Sequence, residues 1–343
     1  MLGLSSCARQ GFTDGGHKRR KFIAVLGGMT VAWPLMTRAQ QPVKKIGFLS
    51  VSSPSAHAPF VAAFNEGLKE FGFIEGKNLA IEYSWAEGKF DRLPAMAADL
   101  IRNKVDVIAA MSGDVSIRAA TTASSTIPVV FITGSDPVQT GLVASLARPG
   151  GNATGFSMIA NELMAKRFEM LSELVPHIRT IALLINPKYH SATEGTIPLV
   201  QQAANAKGVR LHILNATDED EFEPAFASLT HLKADALIVG TDPFFTSRRE
   251  RIVALASRYS VPTIYEWQEF VTAGGLISYG ASLTSLYRAA GVYVGRILKG
   301  TKPADLPIQQ PTNFELVVNR KAAKALGLTI PPTLITAADK VIE

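Results

Sequence analysis

The sequence predicts an α/β protein of two open parallel sheets, each flanked by helices, with a cleft between two lobes. Three observations carry this expectation. Short apolar runs alternate with amphipathic runs of helical length, the alternation restarts midway along the chain, and a Pro/Gly-rich stretch separates the two series. Strands that alternate with helices of about 10–15 residues form parallel sheets through right-handed crossovers. In order, KKIGFLS ends at Ser50 and leads to a helical pattern over Ala58–Phe71. LAIEYSW precedes a helix over Phe90–Arg102, VDVIAAM precedes one over Val115–Ser124, and IPVVFIT ends the first series. These runs are nearly continuous in apolar residues, as strands covered on both faces are. The second series repeats the plan. TIALLIN leads to a helix over about Ala192–Ala206, VRLHILN to Glu221–Leu232, ADALIVG to a helix near Ser247–Tyr259, and VPTIY follows. Ile81 and Leu211 lie 130 residues apart, as do Pro94 and Pro224. Any alternating α/β chain echoes itself somewhat. The shared order and spacing favour two similar lobes joined near Arg148–Ser157, where Pro149, Gly150, Gly151 and Asn152 suit a turn before a crossing.

The first 39 residues read as an address rather than as fold. Lys18–Lys21 place four positive charges before an apolar run, Phe22–Leu35, of 14 residues. That run is short of the roughly 20 residues a membrane-spanning helix needs, and Gly27, Gly28 and Pro34 weaken it as a helix. Thr37-Arg38-Ala39 supplies a small-x-small cleavage pattern, which would leave Gln40 first. Arg19-Arg20 with Lys21-Phe22-Ile23 resembles a twin-arginine signal, although Lys18 stands where that motif more often has Ser or Thr. An exported, periplasmic protein is expected, by the Tat or the Sec route, with an uncleaved anchor as the alternative.

Removing this segment changes the composition. It carries Arg9, Lys18, Arg19, Arg20, Lys21 and Arg38 against Asp14, so the chain's net charge of +6 falls to about +1. The basic balance is therefore no argument for a nucleic-acid or anionic-lipid partner. The single cysteine, Cys7, goes too, which excludes disulfides, a thiolate nucleophile and a cysteine metal site from the remainder. The remaining histidines, His57, His177, His190, His212 and His231, form no closely spaced pair and no H-E-x-x-H. No metal or cofactor is expected. A G-x-S-x-G elbow and a Walker loop are absent. Ser, His and Asp could still converge in space; His57 and His190, both in loops after strands, are the two to watch.

Several longer blocks resemble a known family. IGFLS, FVAAFNEGLKEFGFIEGKNLAIEYSWAEGKFDRLPAMAADLI, SDPVQTGLVASLARPGGNATG, ADALIVGTDPFF and LVVNRKAAKALGLTIPPTLITAADKVIE resemble the solute-binding proteins of bacterial ABC transporters, and more narrowly their tryptophan/tyrosine-type members. The likeness spans residues 44–343. It implies a type I periplasmic-binding-protein fold of two lobes with a three-stranded hinge, closing on a small ligand. The lobes would comprise residues 43–155 plus about 282–300, and 156–281 plus about 301–343. It also implies partners: a small-molecule solute and an inner-membrane ABC permease with its separate ATPase, served by a monomeric receptor that is not an enzyme. A ligand-sensing subunit for a signalling partner and a secreted α/β enzyme are the rival readings.

Open α/β sheets bind ligands at the carboxyl edge of their strands, and interdomain clefts are preferred pockets. The loops there supply the candidate ligand-binding residues. Ser52 and Ser53 precede the first helix, where hydroxyls and free N–H groups suit either a carboxylate or plain capping. Ser112 and Gly113 repeat the device after the third strand. Thr133, Ser135 and Asp136 follow the fourth. Asp136 before Pro137 is either an N-cap or a counter-ion for a ligand ammonium. In the second lobe Asn186 and Tyr189 follow the first strand, and Asp242 stands before Pro243 as Asp136 does before Pro137. Phe244 and Phe245 are either core or an apolar wall. Glu266 beside Trp267 could bind a cation through charge and ring face, and Tyr279 lies near the next crossing between lobes. Together these residues suit an amino-acid-like molecule or a small carboxylate.

Overall fold

The computed structural model describes residues 43–343, apart from residues 159, 161 and 162 and the side chains of residues 190–192. The export signal expected over residues 1–39 and the side chain of His190 lie outside the described residues.

Among the described residues, β1 (Lys44–Ser50), β2 (Leu79–Trp85), β3 (Val107–Ala110), β4 (Val129–Thr133) and β5 (Ala153–Ser157) form a five-stranded parallel sheet in the order β2-β1-β3-β4-β5. The second sheet holds β6 (Thr180–Ile185), β7 (Arg210–Asn215), β8 (Ala236–Val239), β9 (Thr263–Tyr265), β10 (Ile277–Ala281), β11 (Phe314–Asn319) and β12 (Lys340–Ile342), in the order β12-β11-β10-β9-β8-β6-β7. The helices are α1 (Pro54–Lys69), α2 (Leu93–Arg102), α3 (Gly113–Ala123), α4 (Leu163–Leu174), α5 (His190–Ala206), α6 (Phe222–Leu232), α7 (Pro243–Ser247), α8 (Arg249–Arg258), α9 (Gln268–Thr272), α10 (Leu283–Leu298), α11 (Arg320–Ala325) and α12 (Pro332–Ala337). This is the two-lobed type I periplasmic-binding architecture. Inner strands β3, β4, β6 and β8 are buried along their whole length. That is why their sequences are unbroken apolar runs rather than alternating ones. Edge strands β2 and β7 are only partly buried and carry Glu82 and Arg210, charges that discourage further strand pairing.

Three expectations change. The second sheet is not wholly parallel, because β11 runs antiparallel to β10, from Ile277↔Val318 to Ala281↔Phe314. The route of the chain explains this. β10 leaves its sheet at the cleft edge, the chain visits the first lobe as α10, and it re-enters at the same edge, so β11 must run back. Next, the stretch near which the lobes were expected to join contributes a strand, β5, at the edge of the first sheet beside β4. Finally, the helix expected at Pro137 is a turn over residues 137–141.

α10 packs on α1 and on β3, β4 and β5, although it follows β10 directly in sequence. Glycines permit the α1–α10 contact. A Cβ at Gly67 would lie 2.0 Å from the Arg288 carbonyl oxygen, and one at Gly291 would lie 2.1 Å from that of Phe64. Only two bare backbones fit at that distance. The chain then stays with the first sheet longer than expected. Leu306 O accepts from Thr154 Oγ1 at 2.7 Å, Gln309 N donates to Gly155 O at 3.0 Å, and Ser157 N donates to Gln309 O at 2.9 Å. The return to the second sheet follows Gln309. The chain thus passes between the sheets after β5, between β10 and α10, and between Gln309 and β11.

Candidate functional site

The carboxyl ends of strands from both sheets meet around one small cavity, of about 40 Å³. The first lobe contributes His57, Met111, Ser112, Gly113 and Ile132. The second contributes Tyr189, Thr241, Asp242, Thr246 and Trp267, and Met158, Leu283 and Tyr287 enter beside the crossings. A wider opening of about 610 Å³ adjoins it, lined from the first lobe by Arg118, Ser135 and Asp136 and from the second by Lys188 and Glu194. Tyr189 stands at the boundary. It is buried, and a Cβ on Gly113 would fall 1.9 Å from its hydroxyl oxygen. The backbone amide of Asp114 bonds that hydroxyl, and burial raises the phenol pKa well above its ordinary value.

In the first lobe most hydroxyls are committed to the protein itself. Ser112 Oγ lies 2.7 Å from Ser50 Oγ and accepts from Val51 N at 2.9 Å, which ties the ends of β1 and β3 together. Thr133 Oγ1 donates to Asp114 Oδ1 and accepts from Ser135 N at 3.1 Å. Ser52 Oγ, Asp114 Oδ2 and Ser135 Oγ are among the buried atoms that have no partner among the described residues. Ser53 is partly exposed and places its hydroxyl near Ser55 rather than capping α1. Asp136 Oδ1 accepts from Val138 N at 2.8 Å and Gln139 N at 3.3 Å. It therefore caps its turn at the outer opening, away from the inner cavity.

The second lobe presents a complementary set. Asn186 is buried, and its Oδ1 accepts from Lys188 N at 3.0 Å. Asp242 caps α7 by accepting from Phe245 N at 2.8 Å through Oδ1, while Oδ2 and the neighbouring Thr241 Oγ1 are unpartnered. Burial pushes the Asp242 carboxyl up to about 7, against the opposing pull of the Phe245 and Phe244 amides and Asn186. Phe244 and Phe245 are core, packed against Phe222.

Glu266 and Trp267 part ways. Trp267 is buried in the cavity wall. Glu266 faces Arg167 of α4, with Oε1 3.5 Å from Nη2 and both side chains almost wholly buried. Burial raises the Glu266 pKa and the guanidinium opposes it. Arg167 also donates from Nε to Tyr279 O at 2.8 Å and from Nη1 to Ala160 O at 3.4 Å. Tyr279 itself lies on β10 with its ring against Phe314, outside the cavity lining.

Sequence reasoning missed Arg167, Met111, Met158, Leu283 and Tyr287. Met111 could have been found, since it directly follows β3. Leu283 and Tyr287 arrive by a long-range crossing that leaves no local signal. His57, a loop residue by the sequence reading, lies in the first turn of α1, on the cavity wall.

Known proteins place this architecture. The profile of the ABC transporter substrate binding protein family matches residues 45–342. The chain is 27% identical over 267 residues to a tyrosine-binding protein of Clostridioides difficile (strain R20291), covering 77% of this chain and 75% of that protein. The structure of an ABC domain from Streptococcus pneumonia in complex with L-Trp superposes with a TM-score of 0.79 at 26% identity, over 87% of this chain and 99% of that one. A ligand-free, open substrate-binding protein with adhesive properties from Clostridium difficile gives a TM-score of 0.60, also at 26% identity, over 88% and 99% of the two chains. With its fold, its interlobe cavity and a match from end to end of the described lobes, the chain belongs to the ABC transporter substrate binding protein family.

Proposed function

We propose that this protein is a periplasmic receptor of an ABC importer that captures an amino acid, in particular an aromatic one, between two closing lobes and delivers it to a membrane permease. The observation that carries this reading is the opposition of unpartnered, buried polar atoms from both lobes. Asp114 Oδ2 and Ser135 Oγ belong to residues that line the wider opening from one lobe, and Thr241 Oγ1 and Asp242 Oδ2 to residues that line the inner cavity from the other. Each such atom costs about 1–3 kcal/mol when left unpaired. An α-amino acid offers the matching donors and acceptors, with Asp242 suited to its ammonium and the first-lobe hydroxyls to its carboxylate. Met111, Ile132, Met158, Leu283 and Trp267 suit an apolar side chain. The relatives that bind tyrosine and L-Trp support the aromatic class. The higher TM-score to the L-Trp complex than to the open relative, at equal identity, supports a closed arrangement of the lobes here. The cavity is small and walled from both lobes, so the lobes part to admit a ligand and settle around it. Closure is then a population shift, favoured because only the closed state touches the ligand from both sides. Among the described residues no helix is long and apolar enough to cross a membrane, which suits a receptor that meets its permease from outside.

The direct test is thermal unfolding and X-ray scattering with L-Trp and L-Tyr. Binding is expected to raise the melting temperature and to shrink the radius of gyration. No response to any amino acid, or tight binding without compaction, would sink the reading.

Asp242 adds a pH signature. Its pKa is raised in the folded protein, so its contribution to stability is present below the unfolded value near 4 and is lost as pH rises through about 7. An ammonium at Oδ2 favours the carboxylate, so binding must expel a proton below pH 7. Affinity is expected to fall by roughly tenfold per pH unit below 7. Calorimetry in buffers of different ionisation enthalpy should register the released proton. Asp242→Asn should bind weakly and lose the pH slope; an unchanged slope in that variant would assign the proton to another group.

A further inference from the structure

The histidine on the cavity wall has a tautomer fixed by its neighbours. Tyr287 Oη donates its only proton to Met111 O, at 2.7 Å. His57 Nε2 lies 2.8 Å from the same Oη. Because the hydroxyl has no second proton to give, Nε2 must carry a hydrogen and donate it. Burial also keeps the ring neutral, lowering its pKa to about 3, with the Arg249 charge acting in the same direction. Nδ1 is therefore a bare lone pair. It is buried and has no partner among the described residues. Phe60, Trp85 and Tyr287 hold the ring edge-on at centroid distances of 5.3–5.6 Å, so it cannot easily turn over.

We infer that His57 Nδ1 is a fixed hydrogen-bond acceptor for the ligand, selecting a side chain that ends in an N–H or O–H donor, such as an indole or a hydroxylated ring, over a bare phenyl. This rests on the amino-acid reading above, with Asp242 holding the ammonium from the second lobe while His57 meets the side chain from the first. A ligand without a donor leaves Nδ1 buried and unpaired, and sites built to bond a ligand hydrogen reject analogues that lack it.

The test is calorimetry with L-Trp against its sulfur isostere 3-benzothienyl-L-alanine, and L-Tyr against L-Phe. The donor-bearing member of each pair is expected to bind at least about tenfold more tightly. His57→Phe removes the acceptor, and Tyr287→Phe frees the imidazole to change tautomer; each should reduce the preference to about threefold or less. Nitrogen-15 NMR of the ligand-free protein needs no variant and should show Nδ1 unprotonated and Nε2 protonated. Nδ1 found protonated, or L-Trp and its isostere bound equally, would overturn the inference and leave the amino-acid reading standing. Failure of all four compounds to bind would overturn that reading, and this inference with it.

Discussion

Replacing Arg167 with methionine is expected to lower the unfolding free energy by about 3–5 kcal/mol, the cost of leaving a buried charge without its partner. Arg167 is fully buried and faces a carboxylate that is nearly so. The loss extends beyond charge. Its Nε and Nη1 bond the carbonyls of Tyr279 and Ala160, which lie on β10 before one crossing and just after β5 at another. One guanidinium thus ties two crossing segments and Glu266 to α4. Urea denaturation followed by tryptophan fluorescence reads the effect. The double variant Arg167→Met/Glu266→Leu should recover a good part of the loss, because an apolar pair of similar volume replaces a buried ion pair at little cost. A loss below about 1 kcal/mol in the single variant would mean that Glu266 is held neutral and that the pair is dispensable.

Gly113→Ala should separate binding from folding. Gly113 has φ +69°, where a Cβ costs about 1–2 kcal/mol. That cost falls on the folded protein with or without ligand. The new methyl would also lie 1.9 Å from Tyr189 Oη and 2.8 Å from its Cζ. Tyr189 is on the opposite lobe, so this clash arises only when the lobes meet. Affinity for L-Trp is expected to fall by about 10- to 100-fold through such overpacking, while the melting curve of the ligand-free protein shifts only by the cost of the backbone. Tyr189→Phe should not rescue the variant, since the ring carbon still collides; Tyr189→Leu should, in part. Parallel losses in affinity and stability would show that Gly113 serves the fold alone.

The parts of this structure that were legible in the sequence share one physical cause. Strands such as β4 and β6 are covered on both faces, so their burial is written as unbroken apolar runs. Ser112, Gly113, Asp242 and Trp267 line the cavity and follow strand ends directly, where chain topology alone puts ligand loops. The illegible parts depend on contacts distant in sequence. Nothing local to FELVVN sets the direction of β11, which follows from where the chain re-enters the sheet. Arg167 sits in a helical pattern where an arginine reads as a solvent-facing charge, and its burial is set by Glu266 almost a hundred residues later. Asp136 and Asp242 look equivalent in sequence, each before a proline. Only the second lines the inner cavity, where it caps a helix; the first caps a turn at the outer opening.

The glycine contact between α1 and α10 has a mechanical consequence. Two helices touching backbone to backbone cannot slide without collision, so α10 travels as a rigid part of the first lobe despite being spliced onto β10 of the second. Any swing of one sheet against the other is then absorbed by the short joints at Ala281–Ser282, beyond Gln309 and after Ser157. Because Leu283 and Tyr287 lie within the first turns past one of those joints, the lobe closure proposed above would pivot within the wall of its own chamber.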